Sequence, residues 1–265
     1  MIFDRFFDDA ALFPPGQAPM SAAVPAHRAR RSRLVGPFVV RAAALPAVLT
    51  EAGKQHGPPL DLALIAAPDD LPDSIDHIRR TPAVRLTAVE TPVAADATAT
   101  RAAVRAMRDH LPADVVVAVE LPRTGRRDEV LDTLTGTGYR AKIRTGGVRA
   151  ELFPPVDELA ATIRACTERG IAFKCTAGLH HAIRHTDPET GFAHHGFLNV
   201  LLAAAHPGTA ATQLRRTGTT DIVADVRACD PARLPFTSFG TCDVTEPVDD
   251  LIGLGLLPAT ERITA

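Results

Sequence analysis

Two lysines stand out by their type and their placing. Of the 29 lysines and arginines in the chain, only Lys54, Lys142 and Lys174 are lysines. Lys142 lies in YRAKIRTGG (139–147) and Lys174 in IAFKCTAG (171–178). Each sits near the end of an apolar, strand-like run. Each is followed closely by a turn of small residues, Thr145-Gly146-Gly147 and Thr176-Ala177-Gly178. Where any cation serves, a chain this rich in arginine offers arginine. Lysine at two matched places therefore points to chemistry that a guanidinium does not perform. An amine can shed its proton and attack a carbonyl carbon. The expected chemistry is imine formation with an aldehyde or ketone, the iminium then acting as an electron sink.

The elements that must position these lysines alternate along the chain. Strands are expected at 9–14, 37–42, 60–67, 84–92, 115–122, 139–147, 171–178 and 234–243. The run LDLALIAA (60–67) is near-continuously apolar, as a strand buried on both faces should be. Helices are expected around 20–33, 45–56, 68–80, 97–111, 126–136, 155–168, 197–206, parts of 209–228, and 246–257. Parallel strands need crossovers, and helices supply them. Eight such units over residues 1–265 predict a single-domain α/β fold, the (β/α)8 TIM barrel. Without the first strand an open doubly wound sheet is the alternative, but no glycine-rich dinucleotide fingerprint follows an early strand. The basic cluster His27 to Arg33 reads as a solvated helix face.

In such barrels the active site lies at the C-terminal ends of the strands. Side chains alternate along a strand, so parity sorts them. Placing Ala141 and Ile143 against the helices turns Arg140, Lys142 and Arg144 into the barrel. Placing Ile171, Phe173 and Cys175 outward turns Ala172, Lys174 and Thr176 inward. The same argument brings Glu120 inward from the fifth strand and Glu90 from the fourth. The expected catalytic group is Lys142, Lys174, Glu90 and Glu120, with Arg144 beside them and Asp8 or Asp9 close by. Charges packed this tightly shift one another's pKa values, and a lysine beside another cation becomes an amine near neutral pH. An ion-pair network that only staples the barrel mouth accounts for the charges as well, though not for lysine at both places.

These patches resemble the class I deoxyribose-phosphate aldolases. That family carries its Schiff-base lysine in a K-x-x-T-G context on the sixth strand, which Lys142-Ile-Arg-Thr145-Gly146 matches. Lys174-Cys-Thr-Ala177-Gly178 is similar to its second lysine on the seventh strand. Phe239-Gly240-Thr241-Cys242-Asp243 is an altered form of its F-G-A-S-S after the eighth. Phe3-Asp4, or Asp8 to Pro14, loosely echoes its N-terminal D-H-T-L-L. The resemblance implies that Lys142 forms the imine and that Lys174 holds its pKa down by like-charge repulsion. The expected substrate-binding positions are Arg144, Thr145, Gly146, Thr176, Gly178 and Gly240, with His180, His181 and Asp243 where the chain departs from the family's pattern. The family's proton-transfer aspartate on the fourth strand has only Glu90 as a counterpart here. Its phosphate-binding serines after the eighth strand are replaced by Cys242 and Asp243. A carboxylate facing a phosphate is repulsive, so the expected substrate carries no phosphate there.

Half of the chain's 10 histidines, His180, His181, His185, His194 and His195, crowd into the polar loop 179–196. Loops of this length in compact domains are usually functional, and a histidine on a lid over the mouth can move protons. With Glu90 or Glu120 these histidines could hold a divalent metal, which gives a metal-dependent isomerase or hydrolase as the alternative. Their spacing fits no named zinc motif, so no metal ligand and no cofactor is assigned. Cys175 is expected in the packing between strand and helix.

Composition narrows the partners. A formal net charge of −2 and the absence of Trp argue against nucleic acid. No apolar run approaches the ~20 residues that span a bilayer, and MIFDRFFDDAALFPPG lacks the basic start of a signal peptide. Cys166, Cys175, Cys229 and Cys242 form no C-x-x-C pair and suit a reduced, cytoplasmic chain. The expected partner is a small molecule, with self-association into a homo-oligomer left open. The reading is a Schiff-base-forming lyase or aldolase acting on a small, non-phosphorylated carbonyl compound. A metal enzyme or a barrel that only binds ligand are the alternatives.

Overall fold

The apolar runs pair edge to edge, in parallel, until they close on themselves. The computed structural model describes residues 1–92, 96–123 and 125–263. The barrel strands are β1 Phe7–Asp9, β2 Val35–Arg41, β3 Leu60–Ile65, β4 Val84–Thr91, β5 Val116–Glu120, β6 Arg140–Arg144, β7 Phe173–Thr176 and β8 Phe236–Thr241. Each pairs with its neighbour in sequence, and β1 pairs with β8, which closes the barrel. The expected (β/α)8 barrel is therefore the fold.

Crossover helices follow the strands: α1 Met20–Ala29, α2 Leu45–Gly53, α3 Leu71–Arg79, α4 Ala97–His110, α5 Arg127–Leu134 and α6 Val156–Glu168. Between β7 and β8 come α7 Phe197–Ala205, α8 Ala210–Arg215 and α9 Thr219–Ala228, and α10 Thr245–Gly253 follows β8. The local chemistry explains the boundaries. Asp96 caps α4, its Oδ1 accepting from the Ala99 amide at 2.8 Å, which satisfies a donor that a helix start leaves orphaned. Prolines sit in the first turns of α2 and α3, where the missing N–H costs nothing.

The core lies in the ring between strands and helices. Phe7 of β1 and Phe239 of β8 meet edge-on at 5.4 Å, and both pack on Phe197 of α7, at 5.9 and 5.3 Å. This aromatic seam anchors the outward face where the barrel closes. By alternation it turns Asp8 and Ser238, the chain neighbours of Phe7 and Phe239, into the lumen.

Three expectations need correction. The first strand is Phe7–Asp9, not 9–14. Pro14 and Pro15 have no N–H to give a ladder, and pairing ends where the Ala10 amide bonds the Thr241 carbonyl at 2.8 Å. The cluster His27 to Arg33 is not a solvated face. His27 Nδ1 and Arg30 both hold the buried Asp9 carboxylate, at 2.9 and 2.6 Å. Arg28 donates to the Ala83 carbonyl at 2.7 Å, and Arg33 bonds Asp4 and Glu261. Finally, the loop 179–196 is not structureless. It folds into a short antiparallel pair, His185 opposite His194 and Thr186 opposite Ala193. The connection is an Asp187 turn whose Oδ1 accepts from Thr190 N and Thr190 Oγ1, each at 2.7 Å.

Candidate active site

Strand register stacks the lumen charges in two levels near the C-terminal ends of the strands. Glu120, Lys142, Lys174 and Ser238 are successive register partners across β5 to β8. One step toward the mouth, Arg144, Thr176, Gly240 and Asp8 are partners across β6, β7, β8 and β1. The parity argument thus placed Lys142, Lys174, Glu90, Glu120 and Arg144 together correctly, and of the two candidate aspartates the lumen receives Asp8. Asp9 points the other way, to His27 and Arg30.

These groups form one continuous chain of charge-assisted bonds. Ser238 Oγ donates to Asp8 Oδ2 at 2.9 Å. Lys174 Nζ donates to the same oxygen at 2.6 Å and also to Glu90 Oε1. Lys142 Nζ takes the other oxygen of Glu90, Oε2, at 2.7 Å, and reaches Glu120 Oε2 at 3.1 Å. Arg144 closes the series on Glu120 Oε1, through Nε at 3.2 Å and a terminal nitrogen at 3.1 Å. Asp8, Glu90, Lys142 and Lys174 are all buried, while the Arg144 side chain keeps 34% of its surface exposed. Arg144 is the outermost member.

Burial works against every charge here, and the neighbours decide the outcome. Burial alone would raise the Glu90 carboxyl, but Lys142 and Lys174 outweigh it and hold Glu90 at about 2. Burial would lower the Lys174 amine, yet Asp8 and Glu90 carry it above the ordinary lysine value. Asp8 is pushed up by burial against the pull of Lys174. Glu90 is therefore a carboxylate and Lys174 an ammonium at any working pH. This revises the expected part of Lys174: a carboxylate stands between the two amines, so Lys174 meets Lys142 through Glu90 and not by bare repulsion.

Other expected binding residues lie elsewhere or do different work. Thr145 is buried, and its hydroxyl donates to the Ala177 carbonyl at 2.6 Å, tying the turns after β6 and β7. Gly146 and Gly178 touch each other across these turns. Thr176 and Gly240 belong to the upper level of the lumen. His180, His181 and Asp243 are drawn to α10 instead. His180 Nδ1 meets Glu246 at 2.7 Å and His181 Nδ1 meets Asp250 at 3.3 Å. Asp243 Oδ1 accepts from the backbone N–H and the hydroxyl of Thr245, at 2.8 and 2.6 Å. Cys175 is fully buried among the helices, and burial pushes its thiol well up.

Two lumen residues escaped the sequence reading or were left undecided by it, Ser238 and the choice of Asp8; Arg140, expected inside, is a cation whose field reaches Asp8. The alternation around Phe239 and Phe7 was the signal that could have found the first two. Among the described residues no group of three or more His, Cys, Asp or Glu side chains is arranged to hold a metal ion. Two clefts, of about 290 and 470 Å³, flank the hairpin. One is lined by Phe153, Arg184 and Phe192, the other by His181, His185 and Asp250, and neither by the lysines. The chemistry-bearing groups lie under Arg144 and line neither of these two clefts.

No protein-family model and no curated protein matches the chain. Among solved structures it is similar to a fungal β-1,4-galactanase, at 10% identity over 89% of each chain with a TM-score of 0.45. It is also similar to a glycine-to-alanine mutant of an active chimera of (S)-mandelate dehydrogenase, at 14% identity over 88% of this chain and 76% of that one, with a TM-score of 0.43. Likeness at this level bears on neither substrate nor chemistry.

Proposed function

We propose that the barrel is a Schiff-base-forming lyase, of aldolase type, in which Lys142 attacks the carbonyl of a small substrate. The observation that carries this reading is the Glu90 carboxylate, shared by Lys142 and Lys174 inside the lumen. A carboxylate fixed between the two amines holds Lys142 in place for imine chemistry. Lys142 can pass a proton to Glu120, in hydrogen-bond contact with its Nζ, and the neutral amine then adds to the carbonyl carbon. The carbinolamine hydroxyl takes a proton and leaves as water, giving the iminium. A carboxylate next removes the proton of the substrate's β-hydroxyl. The carbon–carbon bond breaks, its electron pair moves into the iminium as an enamine, and a carbonyl product departs. Protonation of the enamine and addition of water release the second product and return the amine.

The charge balance of the lumen supports the first step. Arg140, Lys142, Arg144 and Lys174 face only Asp8, Glu90 and Glu120 by formal charge. Loss of the Lys142 proton out of the lumen, relayed through Glu120 to solvent, brings the cluster to balance; with a fourth carboxylate it would leave a buried negative excess, which costs free energy. The four patches that resemble the deoxyribose-phosphate aldolases to differing degrees point the same way. A competing reading, an ion-pair staple without turnover, draws on the fact that each lumen lysine already has two carboxylate partners. Borohydride reduction in the presence of a panel of aldehydes and ketones, followed by peptide mass mapping, separates the two. An adduct on Lys142 is expected, and its absence with every carbonyl compound tried would leave the staple.

A further inference from the structure

We infer that the substrate carries a carboxylate next to its reactive carbonyl, as in a 2-oxo acid, and that Arg144 binds this carboxylate. The inference rests on the Schiff-base reading for the position of the carbonyl, but its own evidence is the placing and charge of Arg144. Lys142 and Arg144 are two residues apart on β6 and share the lumen face, so their Cα atoms stand about 6.6 Å apart along the strand. A carbonyl held at Lys142 thus has its neighbouring substituent directed at Arg144, one level nearer the mouth. A guanidinium is a planar fork that pairs with carboxylates through two parallel bonds. Here the fork is only partly used: Nε and one terminal nitrogen share a single oxygen of Glu120, Oε1. The side chain is also the most exposed of the charged chain, 34% against 3% for Lys142. An incoming anion meets Arg144 before anything else in the series.

Charge favours the same class. When an iminium forms on Lys142, the lumen regains its fourth cation against the carboxylates of Asp8, Glu90 and Glu120. A substrate carboxylate balances that cation, whereas a neutral carbonyl compound leaves an unmatched positive charge in a dry site. The β8 side of the mouth is unsuited to an anion. The backbone N–H of the first residue of α10, Thr245, is already taken by the Asp243 carboxylate, and Glu246, Asp249 and Asp250 follow on that helix. In the charged chain that holds Lys142, the partly exposed cation at the mouth is Arg144.

Two measurements on the full chain test this. Oxamate mimics a 2-oxo acid in shape and charge but forms no imine. Calorimetry is expected to show that it binds, that neutral lactamide binds at least ten-fold more weakly, and that Arg144→Gln weakens oxamate about ten- to hundred-fold, the worth of a charge-assisted pair. Arg144→Lys should restore part of the loss as a point charge. Borohydride trapping then compares pyruvate with acetone, and pyruvate is expected to label Lys142 at least ten-fold faster in the wild type but not in Arg144→Gln. If oxamate and lactamide bind alike, or Arg144→Gln binds oxamate as tightly as the wild type, the carboxylate site is overturned. If acetone is trapped on Lys142 as fast as pyruvate, the carboxylate site falls and the Schiff-base reading stands. If oxamate binds through Arg144 but no carbonyl compound is trapped, the Schiff-base reading falls and the carboxylate site stands.

Discussion

Gly146 and Gly178 touch backbone to backbone across the turns that follow β6 and β7. A Cβ built on either glycine would lie 2.7 Å from the Cα of the other, and at Gly146 it would also lie 2.7 Å from Phe153 Cε1. Gly178 adopts φ +76°, in the left-handed region where side chains are strained. These turns carry Arg144 and Thr176 at their strand ends. Gly146→Ala should therefore cost about 1–3 kcal/mol through overpacking, and Gly178→Ala more, because backbone strain adds to the clash. Urea denaturation at neutral pH measures both. A change below about 0.5 kcal/mol in either would show that the two turns can separate freely.

The two lumen lysines differ in what their removal leaves behind. Without Lys142, Glu90 keeps Lys174 and Glu120 keeps Arg144. Without Lys174, Asp8 is left with the Ser238 hydroxyl as its remaining hydrogen-bond partner. A buried charge stripped of its partner typically costs about 3–5 kcal/mol. Lys174→Met is therefore expected to destabilise the barrel by that amount, and Lys142→Met by clearly less, while Lys142→Met abolishes borohydride trapping. Equal losses of stability would mean that Asp8 finds another cation, and Arg140, whose field reaches it, is the one to examine.

The carboxylate next to Asp8 gives a matched control. Asp9 is 1% exposed and binds His27 and Arg30 on the far side of β1, away from the lysines. Asp9→Asn keeps the shape but removes the charge that His27 and Arg30 meet. A loss of about 2 kcal/mol is expected, the size of a hydrogen bond to a charged group, with trapping on Lys142 unchanged once the protein is folded. Loss of trapping in the folded variant would tie the α1 anchor to the lumen.

The barrel and its lumen were readable from the chain because both follow from alternation. A strand with one face against helices must turn its charged residues inward, so Lys142, Lys174, Glu90, Glu120 and Arg144 could be placed from parity alone. What alternation does not encode is which opposite charges meet across the barrel. That Glu90 spans both lysines depends on the stagger of β4 against β6 and β7, set by closure. The first strand was placed too late because Ala11, Leu12 and Phe13 look as apolar as Phe6 and Phe7, and only the aromatic seam with Phe197 and Phe239 separates them. The loop histidines read as a possible metal set because they are close in sequence. In space His180 and His181 are claimed by Glu246 and Asp250, more than sixty residues downstream, and no local pattern reports such a pairing.

The base of the hairpin gives a pH dependence of definite sign. His195 is 1% exposed; its Nε2 donates to the Pro154 carbonyl at 2.8 Å, and its Nδ1 faces Arg184 at 3.4 Å. Burial, only partly opposed by the Pro154 bond, lowers its pKa from the ordinary 6.5 to about 4. The unfolded chain thus binds a proton that the folded one refuses between these values. Stability is complete above about pH 6.5 and falls as pH drops toward 4, by roughly 3 kcal/mol in all. His194, also lowered by burial, contributes in the same direction. Glu90 acts in a separate window: its stabilisation is present above its ordinary 4.5 and is lost as pH falls toward about 2. Asp8, raised by burial, has the opposite sign and loses stability as pH rises from its ordinary 3.8. Urea denaturation from pH 7.5 to 4.5 should therefore show a positive slope with pH. His195→Gln can still donate to Pro154 but has no proton to bind, and it is expected to remove most of that slope. If the variant keeps the wild-type slope, the acid sensitivity arises elsewhere than at the anchor between the hairpin and the start of α6.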